Sequence, residues 1–419
     1  MNTEAIERAL RAVEPHSRGE FSAWDGGTLP LVAPADEAEA QAFMRAADGL
    51  VILPIGNGTK LDWCALPTRA DLVFSTRRLV GLVAYEPAEG VLVARAGTDL
   101  AAIARQLRPD HQRIAPDVAH PARCTIGGAF AAAQMGADRL RRGTWRDAIL
   151  GTRVLEADGQ ITQSGGRLVK NVTGYDLFRL HGGAHGALGI VLELSLRLWP
   201  DPPECVWLER DKMEPGSALE ALAAAARAAP AASRLALFEE TDGWRAVVHI
   251  EGRPRALAAA RTGALRALGT ARTFDGDEAR AQAASARDHE AVVLPDGRMR
   301  WPLLEALGPP HASASALAAL RSAAIACSIR GRLIVDGALG RCVFVADGYP
   351  EPEAVRAFAR ALAADTILRD HILRWRGAPP SVRRELTGPP PPGADVMARL
   401  VAAFDPAGRF ARGRLHPQL

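Results

Sequence analysis

The chain has 419 residues, 48% of them hydrophobic and 24% charged, with a formal net charge of +3 at pH 7. That length supports a large buried core and two or three domains, and the composition is that of an ordinary globular protein. The positive charge is small and scattered, which argues against nucleic acid or a membrane surface as the partner.

Lysine stands only at Lys60, Lys170 and Lys212 among 51 basic residues. Two of the three fall in glycine-rich segments; with so few, chance placement stays open. The five cysteines, Cys64, Cys124, Cys205, Cys327 and Cys342, form no CxxC pair. Zinc or iron–sulfur ligation therefore has no local support, and dispersed thiols suit a reducing compartment. Residues 1–20 carry mixed charges without the apolar core of a signal peptide. No stretch approaches the roughly 20 apolar residues of a membrane helix. The expected location is cytoplasmic.

In chain order, residues 36–48 read as a helix by their period. An apolar strand follows at 50–54, then the loop Ile55-Gly56-Asn57-Gly58-Thr59-Lys60. Strands are expected at 71–75, 79–85 and 91–94, and a helix from Thr98, where Thr98 or Asp99 caps it. This start suggests a small α/β unit. Thr125-Ile126-Gly127-Gly128 leads into a small-residue helix through Ala133. Strands at 149–157 and 160–164 flank Asp158-Gly159, a hairpin signal. One or two helical turns fit 175–180, and 189–198 reads as a long strand. Beyond Pro200 the composition shifts towards Ala and Arg. The expected organisation is a first domain over 1–200, a second domain of helices and strands over 201–388, and a linker and tail over 389–419. The linker is the proline run at 389–392, and the tail holds a helix before Phe404-Asp405-Pro406. The alanine-rich runs at 221–228 and 357–363 read as partner surfaces or, more simply, as packed amphipathic helices.

The first glycine loop follows a strand directly. Glycines there let the backbone turn and approach a ligand closely. Consecutive N–H groups then form an anion nest, with the Thr59 hydroxyl and the Lys60 charge beside it. A diphosphate fits that chemistry; a plain strand-to-strand turn also fits. The GxxxxGK[ST] spacing of a P-loop is absent. At Thr125-Ile126-Gly127-Gly128 the helix start is expected to add free N–H groups, with Thr125 as cap or ligand contact. A tight helix–sheet contact is the alternative.

A third set of pieces runs from Gly143-Thr144-Trp145-Arg146-Asp147 through Gly151 and Asp158-Gly159. It continues in Val169-Lys170-Asn171-Val172-Thr173-Gly174-Tyr175-Asp176-Leu177 and closes with Gly183-Ala184-His185-Gly186-Ala187-Leu188-Gly189-Ile190. In this order the motifs resemble the FAD-binding domain of the vanillyl-alcohol oxidase and p-cresol methylhydroxylase (PCMH) superfamily. The Lys-Asn-x-x-Gly-Tyr-Asp-Leu stretch is most similar to the E-type FAD-binding component of bacterial glycolate oxidases. The resemblance covers about residues 30–200, with a weaker echo in the tail.

It implies an α+β fold: a two-subdomain PCMH-type FAD-binding domain, a mixed α/β cap domain with a mixed sheet, and a tail returning to the FAD domain. It implies that Gly56, Asn57, Gly58 and Thr59 cradle the diphosphate. Pro116, Asp117, Thr125, Gly127 and Gly128 would lie near the flavin, Thr144 and Asp147 would line the FAD, and Gly189 and Ile190 would meet its adenosine part. Lys60 and Lys170 would be cations near the cofactor, able to stabilise an anionic reduced flavin; Lys170 serves equally as a partner for Asp176. No His or Cys sits in the first glycine loop, so the resemblance implies non-covalent FAD.

Several departures matter. Ala184 stands where the family often has Ser, and Ala411-Arg412-Gly413 replaces its usual Asn-Pro-Gly. His181 and His185 invite a metal reading, but no third ligand is apparent, and no metal is expected. The H-x-G-D-G-N-x-H motif of the catalytic 2-hydroxy-acid dehydrogenases is missing, and His249, His289, His311 and His371 are isolated. No catalytic residue can be named. The resemblance therefore implies a flavin subunit of a glycolate oxidase-type complex, relaying electrons from hydroxy-acid oxidation. Its expected partners are a catalytic FAD subunit and an iron–sulfur subunit, which would place it peripherally at the inner membrane through them. The alternatives are a free-standing FAD oxidase or dehydrogenase of an alcohol or hydroxy acid, and a non-catalytic assembly subunit. A nicotinamide-dependent reductase is more distant, because no second dinucleotide motif is seen.

Overall fold

The structure is a computed structural model, and it describes all residues except 1–2, 24–26, 137, 168–173, 294–298, 301, 384, 387–389, 391 and 417–419. Part of the 389–392 linker and Lys170 thus lie outside the described residues. Chain contacts define two compact units. Met1–Gln134, Thr144–Pro200 and Thr387–Leu419 form the first; Met135–Gly143 and Asp201–Leu386 form the second.

The first unit contains two sheets. One joins β1 (Arg18–Ser22), β2 (Thr28–Val32), β3 (Ile52–Ile55) and β4 (Leu72–Ser75) in the order β1-β2-β4-β3. Its β2–β4 and β3–β4 pairs are parallel. The helix Glu37–Ala46 connects β2 to β3, and the Asp36 carboxylate caps it by accepting from the Glu39 N–H at 2.8 Å. Its buried Phe43 and Met44 meet Leu50, Ile52 and Phe74 in one core. The other sheet is antiparallel: β5 (Leu82–Glu86), β6 (Val91–Arg95), β8 (Ile149–Leu155), β9 (Ile161–Gly165) and β10 (Ile190–Arg197), in the order β5-β6-β10-β8-β9. Asp158-Gly159 does turn the β8–β9 hairpin, with Gly159 at φ 85°. A short pair, β7 (Gln112–Arg113) with β11 (Trp199–Pro200), completes the strands of this unit.

The tail packs back onto this first unit. The backbone around Phe410 bridges β3, with Ile52 N–H donating to Arg409 O at 2.7 Å and Ala411 N–H to Ile52 O at 2.8 Å. The fully buried Asp405 carboxylate receives the N–H groups of Arg409 and Phe410, each at 2.8 Å. Arg409 in turn donates to the carbonyls of Met44 and Ala157. Gly413 at φ 84° takes the turn against Thr68.

The second unit is built on eight strands: β12 (Glu204–Met213), β13 (Ala232–Glu240), β14 (Gly243–Gly252), β15 (Arg272–Asp275), β18 (Leu304–Leu307), β19 (Gly331–Asp336), β20 (Arg341–Ala346) and β21 (Ile372–Trp375). Their order is β15-β12-β14-β13-β19-β20-β18-β21, and a separate two-strand pair joins β16 (Val292–Val293) to β17 (Met299–Arg300). Every pairing in the large sheet is antiparallel, so the mixed sheet expected from the sequence is corrected. Alternation sorts the side chains by face. One face presents Leu208, Leu237, Val248 and Phe344 to a core shared with the helices Pro215–Ala228, Pro254–Leu268, Ser313–Ala326 and Pro352–Ala364. The alanine-rich helices thus serve packing.

The opposite face carries buried charge. Arg341 reaches Glu290 at 2.7 Å, Glu305 at 2.6 Å and Asp336 at 2.7 Å, and Arg376 adds a second cation to Glu305 at 3.1 Å. The segment Met135–Gly143 belongs here rather than with its sequence neighbours: Arg142 pairs with Asp138 at 2.6 Å and with Glu251. Burial opposes ionisation of Glu305, yet Arg341 and Arg376 outweigh it and hold the carboxyl well below its usual range. A depressed folded pKa stabilises above the unfolded value of 4.5 and loses that contribution as pH falls. Unfolding measured by circular dichroism should therefore show stability dropping below about pH 4.5. Glu305→Gln should cost about 3–5 kcal/mol at neutral pH by leaving arginine charge unpaired, with the gap to wild type narrowing in acid. A gap independent of pH would contradict the assignment.

Candidate functional site

The loop after β3 lines a cleft of the first unit. Its walls are residues 54–61, Thr125, Gly127, Gly128, His181, residues 184–186 and 189–191, and Arg414. β3 aims the loop into the cleft, and Ser75 on β4 fixes its first turn by donating its hydroxyl to Gly56 O at 2.7 Å.

Two requirements act on the glycines. Gly58 has φ 72°, which a side chain would strain. At Gly56 the constraint is space: a Cβ would lie 2.0 Å from Thr125 Oγ1. The loop and the start of the helix Ile126–Ala131 therefore touch backbone to side chain, and Thr125 also caps that helix by accepting from Gly128 N–H at 3.2 Å.

The donors of the two segments are used differently. Ile126 N–H is used by Thr98 O at 2.9 Å, Gly127 N–H by Ala96 O at 2.9 Å and Ala129 N–H by Thr125 O at 3.0 Å. The free helix-start donors expected from the sequence are thus corrected: all are consumed inside the chain, and Gly127 makes the tight contact instead, with a Cβ there falling 2.6 Å from that of Ala96. In the loop, no described residue accepts a hydrogen bond from the N–H groups of Gly56, Asn57 or Gly58. Those residues line the cleft, and their N–H groups are the ones able to hold an anion.

Lys60 is buried at the end of the loop. Its ammonium lies 2.8 Å from Cys124 Sγ and 3.2 Å from Thr59 Oγ1, and burial lowers its pKa against the opposing influence of Cys124. The Asn57 side-chain amide donates to Arg123 O at 3.2 Å, so it ties the loop to the 119–124 segment. Across the cleft, His181 is buried edge-on to Phe404, and burial pushes its pKa down to about 4. It is neutral at physiological pH. Among the described residues no cluster of three or more His, Cys, Asp or Glu side chains is arranged to hold a metal.

The other expected site residues are placed as follows. Gly189 and Ile190 open β10 and line the cleft. Pro116 and Asp117 sit on the loop before Thr125, outside the cleft lining. Thr144 and Asp147 also stand outside it: the Thr144 N–H and hydroxyl donate to the Asp147 carboxylate at 2.7 and 2.8 Å, capping the turn Trp145–Ala148 and lowering the Asp147 pKa. Sequence reasoning missed Thr76, His181 and Arg414 as cleft residues. Arg414 had one available signal, its position in the returning tail, where it donates to Leu61 O and Ala65 O at 3.1 and 3.0 Å.

Gly56 and Thr125 should be energetically coupled. Gly56→Ala should destabilise the chain by about 1–3 kcal/mol through overpacking, and Thr125→Ala by about 1 kcal/mol through the lost cap. Because the clash needs the Thr125 hydroxyl, the double variant should be less destabilised than the sum of the two in urea denaturation. Strict additivity would refute the contact.

Residues 29–165 match the family model described as an FAD binding domain. The chain is 31% identical over 193 residues to D-2-hydroxyglutarate dehydrogenase of Xanthomonas citri, covering 46% of this chain and 41% of that protein. It is 38% identical over 132 residues to glycolate oxidase subunit GlcE of Escherichia coli, covering 31% and 38%. The chain therefore matches only about two fifths of the length of these curated relatives. In structure it is similar to p-cresol methylhydroxylase, with a TM-score of 0.73 over 99% of this chain and 96% of that one at 14% identity. Residues 29–165 are thus an FAD-binding domain, its cofactor is FAD, and the chain has the PCMH-type fold.

Proposed function

We propose that this chain is an FAD-carrying subunit of a 2-hydroxy-acid:acceptor oxidoreductase of the glycolate oxidase type, relaying electrons from hydroxy-acid oxidation. The observation that carries the reading is the loop at Gly56, Asn57 and Gly58, whose three N–H groups have no acceptor among the described residues while the neighbouring helix start is fully bonded. Those donors fit a diphosphate, and a side chain at Gly56 would fill the cradle. The 38% identity to GlcE over 132 residues, together with the missing H-x-G-D-G-N-x-H motif, favours a subunit over a self-sufficient dehydrogenase.

In this reading the three backbone donors bind the diphosphate and fix its position. Thr59 and Lys60 close the end of the loop, and Lys60 supplies the nearest cation. Gly189 and Ile190 let β10 approach the adenosine part. His181, neutral and packed on Phe404, keeps the floor of the cleft apolar and draws no proton. Bound FAD supplies the redox chemistry. No residue of the first loop offers a His or Cys for covalent attachment, which supports non-covalent binding. Pro116, Asp117, Thr144, Asp147 and Lys170 remain proposed cofactor-side residues on the family resemblance alone. The partners proposed are a catalytic flavoprotein and an iron–sulfur subunit. No described helix is long and apolar enough to cross a membrane, and any membrane association proposed is peripheral and through those partners.

A second reading, a dehydrogenase in its own right, is favoured by the likeness to D-2-hydroxyglutarate dehydrogenase and by the arginine-rich face of the second unit's sheet. Anaerobic titration separates the two. The chain is purified alone and mixed with glycolate, D-lactate and other 2-hydroxy acids while its visible spectrum is followed. The first reading expects no bleaching until the catalytic flavoprotein is added. Bleaching of the isolated chain by one hydroxy acid would overturn it in favour of the second.

A further inference from the structure

Lys60 and Cys124 form a close pair that the cofactor reading does not use in full. Nζ lies 2.8 Å from Sγ, and Thr59 Oγ1 is 3.2 Å from the nitrogen and 3.6 Å from the sulfur. Cys124 is fully buried and Lys60 is 7% exposed, yet Lys60 lines the cleft and so gives small solutes a path to the pair. A separation of this size is what one bridging oxygen atom spans between nitrogen and sulfur.

The residue types are also right for covalent chemistry. The chain uses arginine almost throughout, but has lysine here. A guanidinium stays charged in proteins, whereas a buried ammonium can lose its proton and become a nucleophile. Burial shifts Lys60 in that direction. Cys342 has different surroundings, and the described contact of Cys205 differs too. Cys205 contacts Gly276 O, and Cys342 is buried near Asp336, with its pKa pushed up to about 12 by burial first and that carboxylate second. Lys212, in the bulged end of β12, pairs with Asp242 at an exposed position.

We propose that Lys60 and Cys124 are an oxidative modification site, joined through an S–O–N bridge when the chain meets a hydroperoxide. One peroxide oxidises the thiol to a sulfenic acid: its O–O bond breaks, one oxygen bonds to sulfur and one water leaves. A second peroxide then takes the two hydrogens lost as the sulfenic oxygen bonds to the lysine nitrogen, and it is reduced to two waters. In sum, one thiol, one amine and two hydrogen peroxides give the bridge and three waters, a four-electron oxidation. The bridge removes the Lys60 ammonium from the cleft wall, and a thiol reductant reverses it.

The inference stands on the pair itself and is tested without reference to flavin. The purified full chain is treated with hydrogen peroxide, digested with trypsin and analysed by mass spectrometry. The expected product is one crosslinked species joining the Lys60 and Cys124 peptides, with one oxygen gained and two hydrogens lost. It should lack cleavage after Lys60, rise with peroxide dose and disappear on treatment with dithiothreitol. Lys60→Arg and Cys124→Ser should each abolish it. The proposal is overturned if Cys124 in the wild-type chain stays a thiol or goes only to sulfinic or sulfonic acid with Lys60 cleaved normally. It is equally overturned if the link carries no oxygen, which would mean a direct S–N bond.

Discussion

A Cβ on Gly56 would stand 2.0 Å from the Thr125 hydroxyl, and this close approach sets the form of the cleft. It brings the loop after β3 onto the start of the helix Ile126–Ala131, although the two belong to different parts of the sequence. The helix start then spends its own N–H groups on Thr98, Ala96 and the Thr125 hydroxyl. The loop keeps its donors. The tail reinforces the same edge: Asp405 and Phe410 hold β3 from the other side, and Arg414 clasps the carbonyls of Leu61 and Ala65 just beyond the loop.

The second unit solves a different problem. Its sheet is apolar on one face, and on the other a second apolar cluster with Trp207, Phe238, Val247, Ile334 and Val343 lies beside buried charge, with Arg341 shared among Glu290, Glu305 and Asp336. Buried ion pairs contribute little net stability when compared with an apolar core, but each becomes costly if one partner is removed. Such a face is therefore more informative about specificity than about stability.

Much of the first unit was legible in the sequence because its signals are local. Asp99 caps its helix as expected, Asp158-Gly159 turns a hairpin, and the glycine loop follows its strand. What was not legible depends on long-range pairing. The destination of the Ile126 and Gly127 N–H groups is set by strand-end carbonyls about thirty residues away. The placement of residues 135–143 with the second unit follows from Arg142 meeting Glu251, a contact with no sequence signature. The strands 18–22 and 28–32 were missed because Pro30 and the alternation of polar residues obscure their period. Single charges at Arg234 on β13, Glu305 on β18 and Arg341 on β20 look solvated in the sequence, and only the folded sheet shows them buried. Thr144 and Asp147 carry a family signal, yet their geometry is that of a capping box.

The central claim is that this chain alone holds FAD, without a covalent bond, against the loop at residues 56–60. The direct measurement is the visible spectrum of the purified chain, followed by acid precipitation and identification of the released chromophore. The expected result is a flavin spectrum and stoichiometric release of FAD into the supernatant. A colourless chain that takes up no added FAD, or flavin that stays with the precipitate, would contradict it.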